Sequence, residues 1–245
     1  MRSSDDPNGA HRPASTRQER LVVGRRPLLQ SAIGAIAGML AGAEGRGAAA
    51  SPSPRGELAP NHGAPGLTQT GNTVLLAYFS RAGENYYYGD RIDLEVGNTE
   101  VLAAMISEQI ACDVYRIEPV DPYPWDYEET RARNVEEQEA DARPAIANPL
   151  TSIAGYDVVL LGSPIWNVQA PMIMSTFAES FDFTGKTIYP VVTYAVSGLG
   201  STESDYAALC PGADIGEGLA VQGEEVRDGG PAVEAWLQRA GLLVG

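Results

Sequence analysis

Five short apolar runs, each separated from the next by a stretch long enough for a helix, constrain this chain more than any other feature of it. The first, Val74-Leu75-Leu76-Ala77-Tyr78-Phe79, is almost continuously apolar, the pattern of a strand buried on both faces. Asn98-Thr99-Glu100 then reads as a helix start, with Leu102, Met105, Ile106 and Ile110 following at helical spacing. Val114-Tyr115-Arg116-Ile117 is a second, shorter strand suited to a sheet edge, and an acidic helical stretch from Tyr127 to Ala140 leads to the third, Val158-Val159-Leu160-Leu161. Pro171 sits at a helix start, before Met172 to Ser180, where its missing N–H is harmless. The fourth strand is Thr187 to Val192, in spite of Pro190, which is poorly placed in mid-sheet. Leu219-Ala220-Val221 is the fifth, and Ala232 to Ala240 closes the chain as an amphipathic helix. Strand-helix alternation of this kind predicts an α/β, doubly wound, five-stranded parallel sheet with helices on both faces.

Residue counts narrow the chemistry. The two histidines, His11 and His62, both precede the first strand, so a histidine-based triad or zinc site in the folded part is excluded. Two cysteines, Cys112 and Cys210, are too few for a Cys₄ site or an iron–sulfur cluster. Redox or other demanding chemistry therefore calls for an organic cofactor. Residues 1–50 hold seven arginines against four acids, so residues 51–245 carry −18 of a whole-chain charge of −15. Such an anionic body repels nucleic acid and anionic membrane surfaces.

The first 50 residues read as an export signal. Arg25-Arg26-Pro27-Leu28-Leu29 precedes an uncharged, mostly apolar run to Ala43, and small residues ending in Ala48-Ala49-Ala50 follow. The paired arginines resemble a twin-arginine signal. The run is short for a membrane span, which needs about 20 apolar residues, so no stable insertion is expected once the signal is removed. Residues 51–72, rich in Pro, Gly and Ser, form a flexible linker, and residues 73–245 form the domain. The expected location is the bacterial periplasm or exterior.

In a doubly wound sheet the ligand sits beyond the carboxyl ends of the strands, which directs attention to three loops. The first runs from Ser80 and Arg81 to Gly97-Asn98-Thr99 at a helix start, where unsatisfied N–H groups suit a phosphate. The second is Gly162-Ser163-Pro164-Ile165-Trp166-Asn167, and the third Tyr194-Ala195-Val196-Ser197-Gly198-Leu199-Gly200. Taken together these motifs, over residues 73–243, resemble the flavodoxin-like proteins that bind FMN. The resemblance implies the strand order 2-1-3-4-5. It also implies that Ser80, Arg81, Asn98 and Thr99 lie at the FMN phosphate, with Gly97 permitting the turn. Pro164, Ile165, Trp166 and Asn167 would lie along the isoalloxazine, with Trp166 flanking it. The backbone of Tyr194, Ala195, Val196, Ser197 and Gly198 would meet the pyrimidine edge or the other ring face. Residues 81–96 depart from a compact phosphate loop and are expected to loop out beside the cofactor.

Plainer roles stand beside these. Asn98-Thr99 suits a simple helix cap, Trp166 could close the sheet end, and Tyr86-Tyr87-Tyr88 suits loop packing. In the order 2-1-3-4-5, Cys112 and Cys210 fall at opposite sheet edges, too far apart for a disulfide, and are expected as separate thiols. The resulting expectation is an exported FMN-binding electron carrier or small flavin-dependent oxidoreductase whose redox partner, protein or small molecule, is not identified by the sequence. Two alternatives remain: a secreted binding module that keeps the fold without the flavin, and a nicotinamide-dependent quinone or azo reductase.

Overall fold

The computed structural model describes residues 73–243. The export signal read at 1–50, with its Arg25-Arg26 pair, and the linker at 51–72 lie outside the described residues. No helix among the described residues is long and apolar enough to cross a membrane.

Strand β1, Val74–Tyr78, is buried along its whole length, as its unbroken apolar run requires. An antiparallel hairpin follows, β2 (Gly83–Tyr87) and β3 (Asp90–Leu94), and then helix α1 (Asn98–Gln109). After β4 (Asp113–Arg116) come α2 (Tyr127–Glu139), β5 (Val158–Pro164), α3 (Met172–Glu179) and β6 (Thr187–Tyr194). The chain ends with α4 (Thr202–Leu209), β7 (Asp214–Ile215), β8 (Leu219–Gln222), a 3₁₀ segment at Gly223–Asp228 and α5 (Gly230–Arg239). The main sheet is parallel throughout, in the order β4-β1-β5-β6-β7, with β8 also paired to β6.

Side-chain alternation along the strands separates two cores. Val74, Leu76 and Tyr78 join Val158 and Leu160 against α1 (Leu102, Ile106) and α5 (Val233, Trp236, Leu237). Leu75, Ala77 and Phe79 join Val159 and Leu161 against α3 (Ile173, Met174, Phe177) and Tyr206 of α4. Helix α2 buries only Thr130 and Asn134, and polar bonds hold it in place. Tyr127 donates its N–H to Glu84 Oε2 at 3.1 Å, and Thr130 Oγ1 donates to Pro124 O at 2.9 Å.

The sequence predicts five strands in the main sheet, and six are present among the described residues because the last position is split. Ile188 O accepts from Gly216 N at 2.8 Å, so β6 residues two apart turn their polar groups to the same edge. Pro190 therefore faces β7 and β8 with no N–H to pair. The partner strand breaks opposite it, at Gly216-Glu217-Gly218, and Trp236 Nε1 donates to the Glu217 carbonyl at 2.8 Å. The segment 81–96, expected as a loop, is mostly the β2-β3 hairpin. Its two-residue turn, Tyr88-Gly89, has φ of 48° and 94°, the left-handed pair of a type I′ turn that matches strand twist.

Candidate functional site

The carboxyl ends of β1, β5, β6 and β8 open onto one cleft. Helix α1 starts there without a capping side chain of its own, because its N-cap residue is Gly97. Ser80, at the end of β1, substitutes for it: Ser80 Oγ accepts from Glu100 N at 3.1 Å. Space explains the glycine. A Cβ on Gly97 would lie 2.4 Å from both Ser80 Oγ and the Arg81 carbonyl oxygen. Asn98 and Thr99 are thus the first helical residues and not the cap. Their N–H groups meet no acceptor among the described residues, which leaves two donors at a helix N-terminus beside a serine hydroxyl. Thr99 Oγ1 pairs with Thr193 Oγ1 at 2.7 Å, tying the helix start to β6. The Asn98 amide packs over Gly223, where a Cβ would lie 2.6 Å from its Nδ2.

On the β5 side, Trp166 and Gln169 exchange backbone hydrogen bonds of 2.9 and 3.3 Å across a two-residue turn. Asn167 and Val168 occupy that turn with φ of 49° and 66°. A left-handed valine is a strained outlier. It is held because Val168 O accepts from Ser201 N at 2.9 Å, under Gly200. Trp166 lines the cleft and also packs edge-on against Phe79 and Tyr123, with ring centroids 5.7 and 5.1 Å apart. Its two expected roles, flanking a ligand and closing the sheet end, are compatible in this position.

Ser80, Arg81, Asn98 and Thr99 are brought together in the cleft with Pro164, Ile165 and Trp166. Tyr194 and Ala195 join them from the β6 loop, and Gly97 stands directly beneath Ser80. Asn167 lies in an adjoining cavity. Val196, Ser197 and Gly198 are not part of the cleft lining; Val196 is 84% exposed. The loop turns away after Ala195, closing through Gly200 N to Ser197 O at 3.0 Å, with Gly198 and Gly200 both at φ +57°.

Several cleft residues escaped sequence reasoning. Asn85 and Tyr86 come from the hairpin, Tyr127 from α2, and Gly223 and Glu224 from the 3₁₀ segment. The hairpin reaches across the cleft, and Tyr88 at its tip donates its N–H to Glu224 Oε1 at 3.2 Å. At its base the Arg81 guanidinium donates to the carbonyls of Ala82 (3.0 Å), Trp125 (3.3 Å) and Glu84. Burial pushes the Arg81 pKa below its ordinary value, with Glu84 and Asp126 opposing the shift.

The sequence profile of the flavodoxin family matches residues 93–240. The chain belongs to the flavodoxin family. A candidate flavoprotein from Bacteroides eggerthii is 29% identical to this chain, with 70% of this chain and 99% of that chain covered and a TM-score of 0.55. Another from Bacteroides uniformis is 30% identical, with 69% and 99% covered and a TM-score of 0.54. A Lactobacillus acidophilus flavoprotein solved in complex with FMN is 15% identical over 64% of this chain and 98% of its own, with a TM-score of 0.48. No curated protein sequence matches this one. FMN is the cofactor that the cleft of this chain fits: free helix-end donors for a phosphate at one side, an aromatic wall for a planar ring at the other.

Proposed function

We propose that this member of the flavodoxin family is an exported redox protein that binds FMN and acts as an electron carrier or as a small flavin-dependent oxidoreductase. One observation carries it: the N–H groups of Asn98 and Thr99 stand without acceptors among the described residues beside Ser80, in the cleft that Trp166 and Tyr194 also line. The N–H groups and the Ser80 hydroxyl would hold the phosphate. Trp166, with Ile165 and Ala195, would position the isoalloxazine. FMN supplies the exchange of one or two electrons, while the chain orients it and shields it from water. The hairpin residues Asn85 and Tyr86 narrow the cleft mouth and limit what can approach the ring.

Export rests on the paired arginines and apolar run of residues 25–43 and on the small residues ending at Ala50. A twin-arginine route carries folded proteins, which suits a domain that acquires FMN before export. The −18 charge of residues 51–245 argues against nucleic acid as a partner.

Titration of the purified full chain with FMN and with riboflavin, followed by flavin absorbance and fluorescence, tests the cofactor assignment. FMN should bind about one to one and about tenfold or more tighter than riboflavin, since the helix end acts only on the phosphate. Equal affinities would remove the phosphate site. Absence of binding to either flavin would leave the flavin-free binding module in its place.

A further inference from the structure

Beside the FMN cleft lies an adjoining cavity, of about 280 Å³, whose α2 wall the proposed function does not use. It shares Arg81, Asn85, Tyr127, Ile165 and Trp166 with the cleft and is completed by α2 and Asn167. Its charge runs against that of the body. Arg81 and Arg131 both line it and no acidic side chain among the described residues does, although residues 51–245 hold 28 acids against 10 basic residues.

Each of three polar groups there keeps a donor without an acceptor among the described residues. Arg81 spends its hydrogen bonds on backbone carbonyls and forms no ion pair among the described residues. Arg131 is held by Glu128, Nε to Oε2 at 2.8 Å, and its terminal nitrogens have no acceptor among the described residues. Asn134 is 2% exposed. Its Oδ1 accepts from Gln138 Nε2 at 3.4 Å, while Gln138 also donates to Trp166 O at 3.1 Å and accepts from Asn167 Nδ2 at 2.7 Å. That network fixes the Asn134 amide by its oxygen and leaves Nδ2 without an acceptor among the described residues. The remaining walls are Trp166, Tyr127, Val135 and Ile165, a mixed aromatic and aliphatic lining suited to a flat apolar body with one polar end. A cavity of about 150 Å³ holds benzene, so the volume admits one substituted ring.

We propose that this cavity binds a small aromatic carboxylate, its ring against Tyr127 and Val135 and its carboxylate among Arg81, Arg131 and the Asn134 amide. An acceptor oxygen from such a ligand satisfies Asn134 Nδ2, and its charge supplies a direct ion pair, which Arg81 does not form with Glu84 or Asp126 among the described residues. The ligand is separate from FMN, whose phosphate belongs at the start of α1. The site therefore adds to the proposed function and does not depend on it.

Three probes of one shape separate charge from burial: benzoate, neutral benzamide and cationic benzamidine. Each is titrated into the purified full chain by calorimetry and tryptophan fluorescence, with and without saturating FMN. Benzoate should bind at least tenfold tighter than benzamide, benzamidine should not bind, and added salt should weaken benzoate alone. Arg131→Glu, on an exposed helix face, should cost benzoate at least tenfold, and Asn134→Asp should abolish its binding. Should Asn134→Asp fail to fold by circular dichroism, Arg131→Glu still decides. Equal affinities for benzoate and benzamide, no benzoate binding at millimolar concentration, or indifference to Arg131→Glu would overturn the site. A chain that selects benzoate but takes up no FMN overturns the cofactor assignment alone, and the converse overturns this site alone.

Discussion

The Ser80 hydroxyl accepts the Glu100 N–H at 3.1 Å, so helix α1 takes its capping oxygen from the end of β1 and not from its own N-cap residue. The capping group and the proposed phosphate donor are one side chain. Ser80→Ala should therefore lower stability by about 1 kcal/mol, the usual cost of a lost cap, and weaken FMN while leaving riboflavin nearly unaffected. Thermal unfolding and paired flavin titrations measure the two effects. A variant that loses stability with FMN affinity intact would confine Ser80 to capping.

Trp166 is braced by Phe79 and Tyr123, so its removal should register twice. Trp166→Ala should weaken FMN by about fivefold or more and also lower stability, each aromatic pair contributing about 0.5–1.5 kcal/mol beyond its buried area. Trp166→Phe should restore most of the stability. Unchanged FMN affinity in Trp166→Ala would show that the indole only braces the loop.

Val168 is 60% exposed and left-handed, with φ of 66°. Its side chain gains little by burial and carries a backbone cost of about 1–2 kcal/mol, which asparagine tolerates far better. Val168→Asn should stabilise the protein by about 1 kcal/mol in denaturant titration. A neutral or destabilising result would mean that the valine is held by contacts beyond its own backbone.

Cys112 and Cys210 are both free thiols. Burial pushes Cys210 up to about 12, and the thiolate is the reactive form. Native protein should therefore label slowly at Cys210 between pH 7 and 9, with no acceleration as pH rises through the range that ionises an ordinary cysteine. Because the folded pKa is the higher one, the linked stability is complete below about pH 9, the unfolded thiol's range, and is lost as pH rises toward 12. Mass spectrometry of a timed thiol-labelling series checks the reactivity, and unfolding curves at several alkaline pH values check the stability.

The main sheet was legible because burial on both faces forces apolar continuity, as in Val74–Tyr78 and Val158–Leu161. The hairpin was hidden because Asp90–Leu94 is mostly polar and exposed, and because its turn is Tyr88-Gly89 where asparagine or aspartate before glycine is the usual signal. A signal was present all the same: β-favouring Tyr86 and Tyr87 stand directly before a glycine two residues on. Pro190 announced trouble in the fourth strand, but only tertiary pairing shows that its bare edge coincides with Gly216-Glu217-Gly218. The same limit applies to the site. Ser80, Asn98 and Trp166 sit in motifs, whereas Asn85, Arg131 and Asn134 acquire their positions from packing between elements that the sequence does not show to be neighbours.

The split at the end of the main sheet also bears on how the protein behaves in a crowd. A long, flat terminal strand is an open template for a second chain. Here the outer position presents two residues, then a glycine-flanked gap whose freed carbonyl is taken by Trp236, then four more. No incoming strand can run its hydrogen bonds the length of that side without interruption. Pro190, the residue least suited to a parallel sheet, thereby leaves the finished molecule with an edge that resists edge-to-edge aggregation.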